Sequence, residues 1–277
     1  MKRAGVLAAL LIAALGAALL FGYFEAVSDP VERQADLAVP GIAPGTGPYR
    51  VALLSDIHFG NHAMGPARLT RIVTQINAAT PDLIVIVGDF VNGKHRQPDT
   101  DPRGLVAPLA KLRARDGVLA VLGNHDHWTD AAAVRTALAA AGIEVLSNQV
   151  AARGPLVLLG IDDYISGHAD VAAVIAAARG RSGAVVALSH SPDIVPELPG
   201  EVSLVLAGHT HCGQIVLPLI GALAPVSGGH FYDPLYECGL IRLNGRTVVV
   251  TGGLGSGSVP LRIGAPSDWW LLTLRAP

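Results

Sequence analysis

Five times between Tyr49 and His211 the chain repeats one pattern, a short aliphatic run that closes on a tight polar corner. "RVALLSDIH" ends in Asp56 and His58, "DLIVIVGDF" carries Asp89, and "GVLAVLGNHDHW" carries Asn124, His125, Asp126 and His127. "GAVVALSHS" ends near His190, and "SLVLAGHTH" in His209 and His211. Apolar runs of this length bounded by turn residues suit strands buried on both faces. Helical spacing fills the gaps. Pro66 to Ala79 sets Leu69, Ile72, Val73 and Ile76 on one face, Thr129 or Asp130 can cap "AAAVRTALAAAG" ahead of Gly142, and Ala169 to Arg179 is a third, alanine-rich candidate. Strands alternating with helices predict βαβ units, largely parallel sheets and helices outside. Such sheets gather ligands beyond the carboxyl ends of their strands, where all five corners fall together. Towards the end, "GLIRLNGRTVVVTGG" predicts a hairpin turning at Asn244 and Gly245, and "WWLLTLR" a last strand. The expected core has two sheet layers, one half from α/β units and the other with more antiparallel strands.

With 277 residues, 51% of them hydrophobic, the chain can bury one sizeable core with an appendage. A formal net charge of -2 argues against a sequence-independent grip on nucleic acid. The appendage is at the amino terminus, where Lys2 and Arg3 precede an uncharged run from Ala4 to Phe24, about the length of a membrane span. A cleaved signal peptide shares the basic start, but no clear small-x-small site precedes Glu25, Asp29 and Glu32, so a retained anchor is the expectation. The basic pair leaves the start in the cytoplasm and the main domain outside. Val27 to Pro48 is broken by Pro30, Pro40, Pro44 and Pro48 with Gly41, Gly45 and Gly47, and reads as a linker. The expected organisation is an anchor over 1–26, a linker over 27–48 and a folded domain over 49–277.

Asp56 and His58 in a D-x-H spacing reach one ion from a single extended corner, and the two oxygens of Asp89 suit a bridge to a second. His209 and His211 repeat the two-residue interval, so each suits a different ion. Mixed imidazole, carboxylate and amide donors fit Mn, Fe or Zn better than Ca or Mg. Taken singly, an aspartate or histidine at a strand end is ordinary turn or core material. Five corners carrying them together are not.

The strings "SDIH", "GDF", "GNHDHW", "SHSPD" and "GHTHCGQIVLP", in this order from Ser55 to Pro218, resemble the calcineurin-like metallophosphoesterases. With the later "GSGSVPLRIGAPSDWW" they look like that family's membrane-anchored phosphodiesterase branch. The resemblance implies a four-layer α/β/β/α sandwich with a dinuclear centre between the sheets. It implies Asp56, His58, Asp89 and His211 on one divalent transition-metal ion, and Asp89, Asn124, His190 and His209 on the other. His125 would meet the substrate and Asp126 would orient His125. His62, His95, His168 and His230 are read as surface or loop residues, with His62 and His230 open as pocket borders and His127 unassigned.

Cys212 stands where this branch often has glycine. It is read as a small hydrophobe, not a ligand, and a Cys212–Cys238 disulfide stays open if the domain lies outside the cytoplasm. The activity expected is hydrolysis of a phosphodiester or pyrophosphate by metal-activated water, with a non-catalytic metal-dependent scaffold of the same fold as the alternative. From Cys212 to His230 there is no Asp, Glu, Lys or Arg, while Ile215, Val216, Leu217, Leu219, Ile220, Leu223 and Val226 are apolar. That stretch is either a core strand with its loop or a surface that holds an acyl chain, and it leans the substrate towards a lipid-linked phosphate ester.

Overall fold

The computed structural model describes residues 2–94, 97–98, 100–223, 232–243, 245–257 and 259–277. The sequence-based readings of His95, His230, Val226 and the Asn244 turn lie outside the described residues. In chain order, helix α1 (Lys2–Val27) leads to β1 (Val31–Ala38), β2 (Tyr49–Leu54), α2 (Pro66–Ala78), β3 (Leu83–Val87) and a short ribbon of β4 (Gly93–Lys94) and β5 (Gln97–Pro98). Then come α3 (Val106–Leu109), β6 (Val118–Val121), α4 (Asn124–Trp128), α5 (Ala131–Ala140) and β7 (Glu144–Val145). The second half runs through β8 (Gln149–Arg153), β9 (Leu156–Gly160), α6 (Val171–Ala178), β10 (Ala184–Leu188) and β11 (Leu204–Ala207). It ends with β12 (Val216–Leu217), β13 (Gly221–Ala222), β14 (Gly239–Leu243), β15 (Arg246–Val250) and β16 (Asp268–Arg275).

Two mixed six-stranded sheets result, ordered β1-β16-β2-β3-β6-β7 and β14-β15-β11-β10-β9-β8. Within them β2, β3, β6 and β7 run parallel, as do β15, β11, β10 and β9. Alternation along each strand explains the layering. All five residues of β3 are buried, but Leu83, Val85 and Val87 enter the core between the sheets while Ile84 and Ile86 enter the core under the outer helices. On the other sheet Ala184, Val186 and Leu188 of β10 meet the same inter-sheet core, and Ala187 meets the outer one. Side chains of period two, buried on both sides, make the four-layer sandwich.

The helices follow their sequence signals closely. α2 buries Leu69, Ile72, Val73 and Ile76. Of the two cap candidates for α5 the chain uses Asp130, whose carboxylate accepts from Ala133 N at 2.9 Å. The third helix is shorter than its alanine-rich segment, starting only after Asp170, which caps it through Ala173 N. The late hairpin and last strand are β14–β15 and β16.

The linker expectation fails over Val31–Ala38. β1 pairs in parallel with β16 along eight residues, Arg33 reaches Asp268 at 2.5 Å, and Leu37 is buried in the inter-sheet core. The glycines and prolines that suggested a linker cluster at its two ends, Pro30 and Pro40 onward, and the polar interior is what an edge strand presents to water. Of the expected linker only 28–30 and 39–48 are irregular. The cysteine reading also changes: Cys212 and Cys238 form a disulfide with Cα atoms 4.7 Å apart, so the Cys212 sulfur is committed there.

Helix α1 has a mean hydropathy of 2.4 over its apolar window and is long enough to cross a bilayer. Its last turns touch the domain: Ala26 is buried, Arg262 N donates to Gly22 O at 2.9 Å, and buried Arg68 donates to Ser28 O just beyond the helix.

If β1 is part of the fold and not a tether, Leu37→Asp in the soluble portion from Ser28 onward should cost about 3 kcal/mol, the typical scale for an unpaired charge at a packed site. Urea unfolding measures this; a change under roughly 0.5 kcal/mol, ordinary for a surface position, would restore the linker reading.

Candidate metal centre

The five corners meet at the carboxyl ends of β2, β3, β6, β10 and β11, where the two sheets come together. Their backbone is unusual. Asp56, His58, Asp89, His209 and His211 all have φ between 46° and 70°, a left-handed conformation that non-glycine residues adopt sparingly and that costs free energy unless surroundings enforce it. The surroundings do enforce it: Asp56 N donates to Gly88 O, His58 N to Asp89 O, and Gly208 N to His190 O, stitching neighbouring corners together. The approach is close enough to demand glycine. A Cβ on Gly88, itself at φ 87°, would lie 2.6 Å from His190 Nδ1, and one on Gly253 would lie 2.5 Å from Asp56 Cβ.

Asp89 holds the centre. Its Oδ1 accepts from His125 N at 2.8 Å, while Oδ2 lies 3.2 Å from His190 Nε2 and 3.6 Å from His58 Nε2. Asp56 is divided the same way: Oδ2 accepts from His209 N at 3.0 Å, and Oδ1 faces His211 Nε2 at 3.4 Å and His58 Nε2 at 3.7 Å. His58 and His211 bring their Nε2 atoms within 3.0 Å, and His209 Nδ1 lies 3.3 Å from His190 Nε2. Three donor groups therefore overlap: Asp56, His58 and His211; Asp56, Asp89 and His190; and His58, Asp89 and His125.

Cations fit this arrangement. Asp56 and His58 are fully buried and Asp89 and Asn124 almost so, yet Asp56 Oδ1 and Asn124 Oδ1 have no hydrogen-bond partner within the protein. Buried polar atoms in folded proteins are nearly always satisfied, so the unsatisfied Asp56 Oδ1 facing the imidazoles of His211 and His58 implies a partner that is not a side chain. Burial alone pushes the Asp89 carboxyl up, but His190 and His125 outweigh it and hold it well below the usual carboxylate range. The same contest holds Asp56 down, chiefly through His211. Burial, then the neighbouring His190, pulls His209 down to about 4, leaving it an unprotonated donor. Burial likewise lowers His211. At His190 burial acts the same way, but Asp89 outweighs it and raises the pKa, so that ring would give up its proton to a cation. Ionised carboxylates beside unprotonated imidazoles are what a divalent transition metal requires.

The outward nitrogens of His190 and His125 are fixed by backbone carbonyls. His190 Nδ1 lies 2.8 Å from Val87 O, which directs Nε2 inward. His125 Nδ1 is 2.8 Å from Gly93 O, so its free nitrogen is Nε2, and its ring stands edge-on to His58 with centroids 4.9 Å apart.

Asp126 departs from the role the resemblance implied. Its Oδ1 accepts from Phe90 N at 2.9 Å and Val91 N at 3.2 Å, and its Oδ2 from Gly123 N at 2.9 Å. It ties the corner after β3 to the corner after β6, and the Gly93 carbonyl is what orients His125. His127, on the other side of α4, pairs with Asp162 at 2.7 Å, which Arg135 and Ser147 also hold, and stacks on exposed His168. His62 is exposed.

One contributor was not singled out by sequence reasoning. Arg262 is fully buried, its guanidinium held by the carbonyls of Gly252, Gly255 and Ala265, with Nη2 3.2 Å from His211 Nδ1. It braces the His211 ring from behind. The string "VPLRIGAPSD" contains it, but a lone arginine in a loop carries no signal of burial.

Comparison with known proteins agrees with this geometry. Residues 49–213 match the model of the calcineurin-like phosphoesterase family. A transmembrane protein with metallophosphoesterase domain from Danio rerio is 31% identical over 99% of this chain, which spans only 63% of that relative's length. The metallophosphoesterase YkuE of Bacillus subtilis is 29% identical over 98% of this chain and 96% of its own. Among solved structures, a 5'-nucleotidase precursor from Thermus thermophilus overlaps 82% of this chain, and 55% of its own, with a TM-score of 0.47 and 17% identity. The chain belongs to the calcineurin-like phosphoesterase family.

Proposed function

We propose that the protein is a membrane-tethered phosphoesterase with a dinuclear centre, cleaving a phosphodiester or pyrophosphate carried on a lipid or another cell-envelope molecule. The observation that carries this reading is Asp89 Oδ2, which lies between His58 and His190 and so belongs to two donor clusters at once. In this reading Asp56, His58, Asp89 and His211 hold one cation, and Asp89, Asn124, His190 and His209 the other. The donor set suits Mn, Fe or Zn. When bound, such a pair supplies Lewis-acid activation of water and offsets charge on the phosphoryl oxygens.

The chain's own residues do the rest. Asp89 fixes the spacing of the two sites through its anchored Oδ1. His125, held at Nδ1 by Gly93, offers Nε2 to the substrate; burial lowers its pKa and keeps the ring neutral until a phosphate's charge offsets that effect. A proton on Nε2 is then available to the leaving oxygen. The full donor set together with His125 favours an enzyme over a scaffold.

Tethering follows from α1, with Lys2 and Arg3 on the cytoplasmic side by the positive-inside tendency. The Cys212–Cys238 disulfide supports an extracytoplasmic domain, since such bonds persist in oxidising compartments. The anchor, the dimetal centre and the outward domain together favour an envelope ester over a cytoplasmic metabolite.

Three outcomes are expected. Asp89→Asn should weaken both sites, whereas His190→Ala should empty mainly one; metal analysis finding two ions still on the Asp89 variant would contradict a bridging carboxylate. His125→Ala should keep its metals, lose on the order of a hundredfold on an alkyl phosphodiester and much less on a nitrophenyl ester whose leaving oxygen needs no proton. Equal losses on both esters would reassign His125 to positioning the phosphate. Protease added to sealed right-side-out vesicles should digest the domain; protection until the membrane is breached would reverse the topology.

A further inference from the structure

Immediately after the metal-site histidines the chain forms a small hairpin. Val216 pairs with Ala222 and Leu217 with Gly221, leaving Pro218, Leu219 and Ile220 at the tip. The tip is wholly in solvent: Leu219 is fully exposed, Ile220 is 70% exposed, and Leu223 just beyond is also exposed. No Asp, Glu, Lys or Arg occurs from residue 212 to 223. Water-exposed hairpins are ordinarily blunted with charge, and a protruding apolar tip without any marks a surface meant to be covered.

What covers it is indicated by its neighbour. Val216 N donates to Ile263 O at 2.7 Å, and Ile263 N to Gln214 O at 3.0 Å, so the base of the hairpin is bonded to the loop around Ile263. The same loop carries the end of α1: Arg262 N donates to Gly22 O, and a Cβ on Gly22 would lie 3.1 Å from Ile263 Cγ1. Gly22 is three residues, about 4.5 Å along the helix, before Glu25, the first charged residue after the apolar run. It stands beside exposed Phe21, Tyr23 and Phe24, aromatic residues of the kind that settle at a membrane–water boundary. The Ile263 loop is therefore fixed at the level of that boundary, and Leu219 is three residues from Val216, at most about 10 Å at the strand rise.

We infer that the Leu219–Ile220 tip is a second membrane contact, inserted into the leaflet from which α1 emerges, and that it holds the metal centre against the headgroups of that leaflet. The occupant is the bilayer itself. The inference rests on α1 being a membrane span, and it narrows the proposed substrate to a phosphate ester borne by a lipid in that leaflet. His211 lies five residues before Val216, so two attachments flank the site, α1 through Arg262 and Ile263 and the tip through β12. A rigid tether at one point would let the cleft turn from the surface; a second point removes that freedom. The apolar stretch that composition left undecided between core and surface is, over Pro218 to Leu223, surface.

The test uses the full chain in phosphatidylcholine vesicles with bromine on the acyl chains, read by tryptophan fluorescence against the same chain in unbrominated vesicles. Separate variants carry Leu219→Trp, Ile220→Trp, Leu11→Trp within α1, and Glu201→Trp at the opposite end of β11 from the metal centre. The signal of the unsubstituted chain is subtracted. The inference expects at least twofold quenching for Trp at 219, at 220 and at 11, and almost none at 201. Quenching at 11 without quenching at 219 or 220 leaves α1 a span and overturns the second contact. No quenching at 11 overturns the span and the inference together. If the tip is unquenched and the chain sediments as a dimer that Leu219→Ser dissociates, the tip covers a second copy, and the inference fails.

Discussion

The fold depends on a repulsion it cannot resolve by itself. Two carboxylates, from Asp56 and Asp89, and the imidazoles of His58, His190, His209 and His211 are driven into one water-poor junction between two sheets. Removing carboxylates from water is costly, and the imidazoles that keep them ionised still leave buried oxygens without a partner. The remaining demand, visible in the unpartnered oxygens of Asp56 and Asn124, is for positive charge of small radius. Divalent cations suit it, and in the proposed function the same demand would give the site its chemistry.

Holding such a cluster requires stiffness from outside it. The strained left-handed corners at Asp56, His58, Asp89, His209 and His211 are kept in register by bonds between corners, by Asp126 spanning the corners after β3 and β6, and by Arg262 behind His211. Glycines at 88 and 253 let these corners approach without a Cβ between them. The aliphatic cores on either side of each sheet supply the rigidity, since close-packed interiors do not deform continuously. Function here is a small strained region supported by large relaxed ones.

The parts legible from sequence were those with a period or a chemistry. Buried parallel strands announce themselves as aliphatic runs, α2 by its apolar face, and the corner residues by their donors. β1 was illegible because "VERQADLA" is polar and flanked by prolines, and its strand character comes from its partner, β16, at the far end of the chain. Asp126 was expected to hold its sequence neighbour, yet its bonds go to the backbone of Phe90, Val91 and Gly123. Arg262 shows the same limit: nothing local distinguishes an arginine buried among carbonyls from a solvated one. The Cys212–Cys238 pairing needed geometry, because two cysteines 26 residues apart fix none.

The central claim is that the buried Asp–His cluster exists to hold a pair of cations. The most direct measurement is the metal content and electron paramagnetic resonance spectrum of the unaltered full chain, reloaded with Mn and freed of excess. The account predicts two equivalents of Mn giving one exchange-coupled spectrum, as ions sharing Asp89 must. One equivalent, or two with the spectrum of isolated ions, would contradict it.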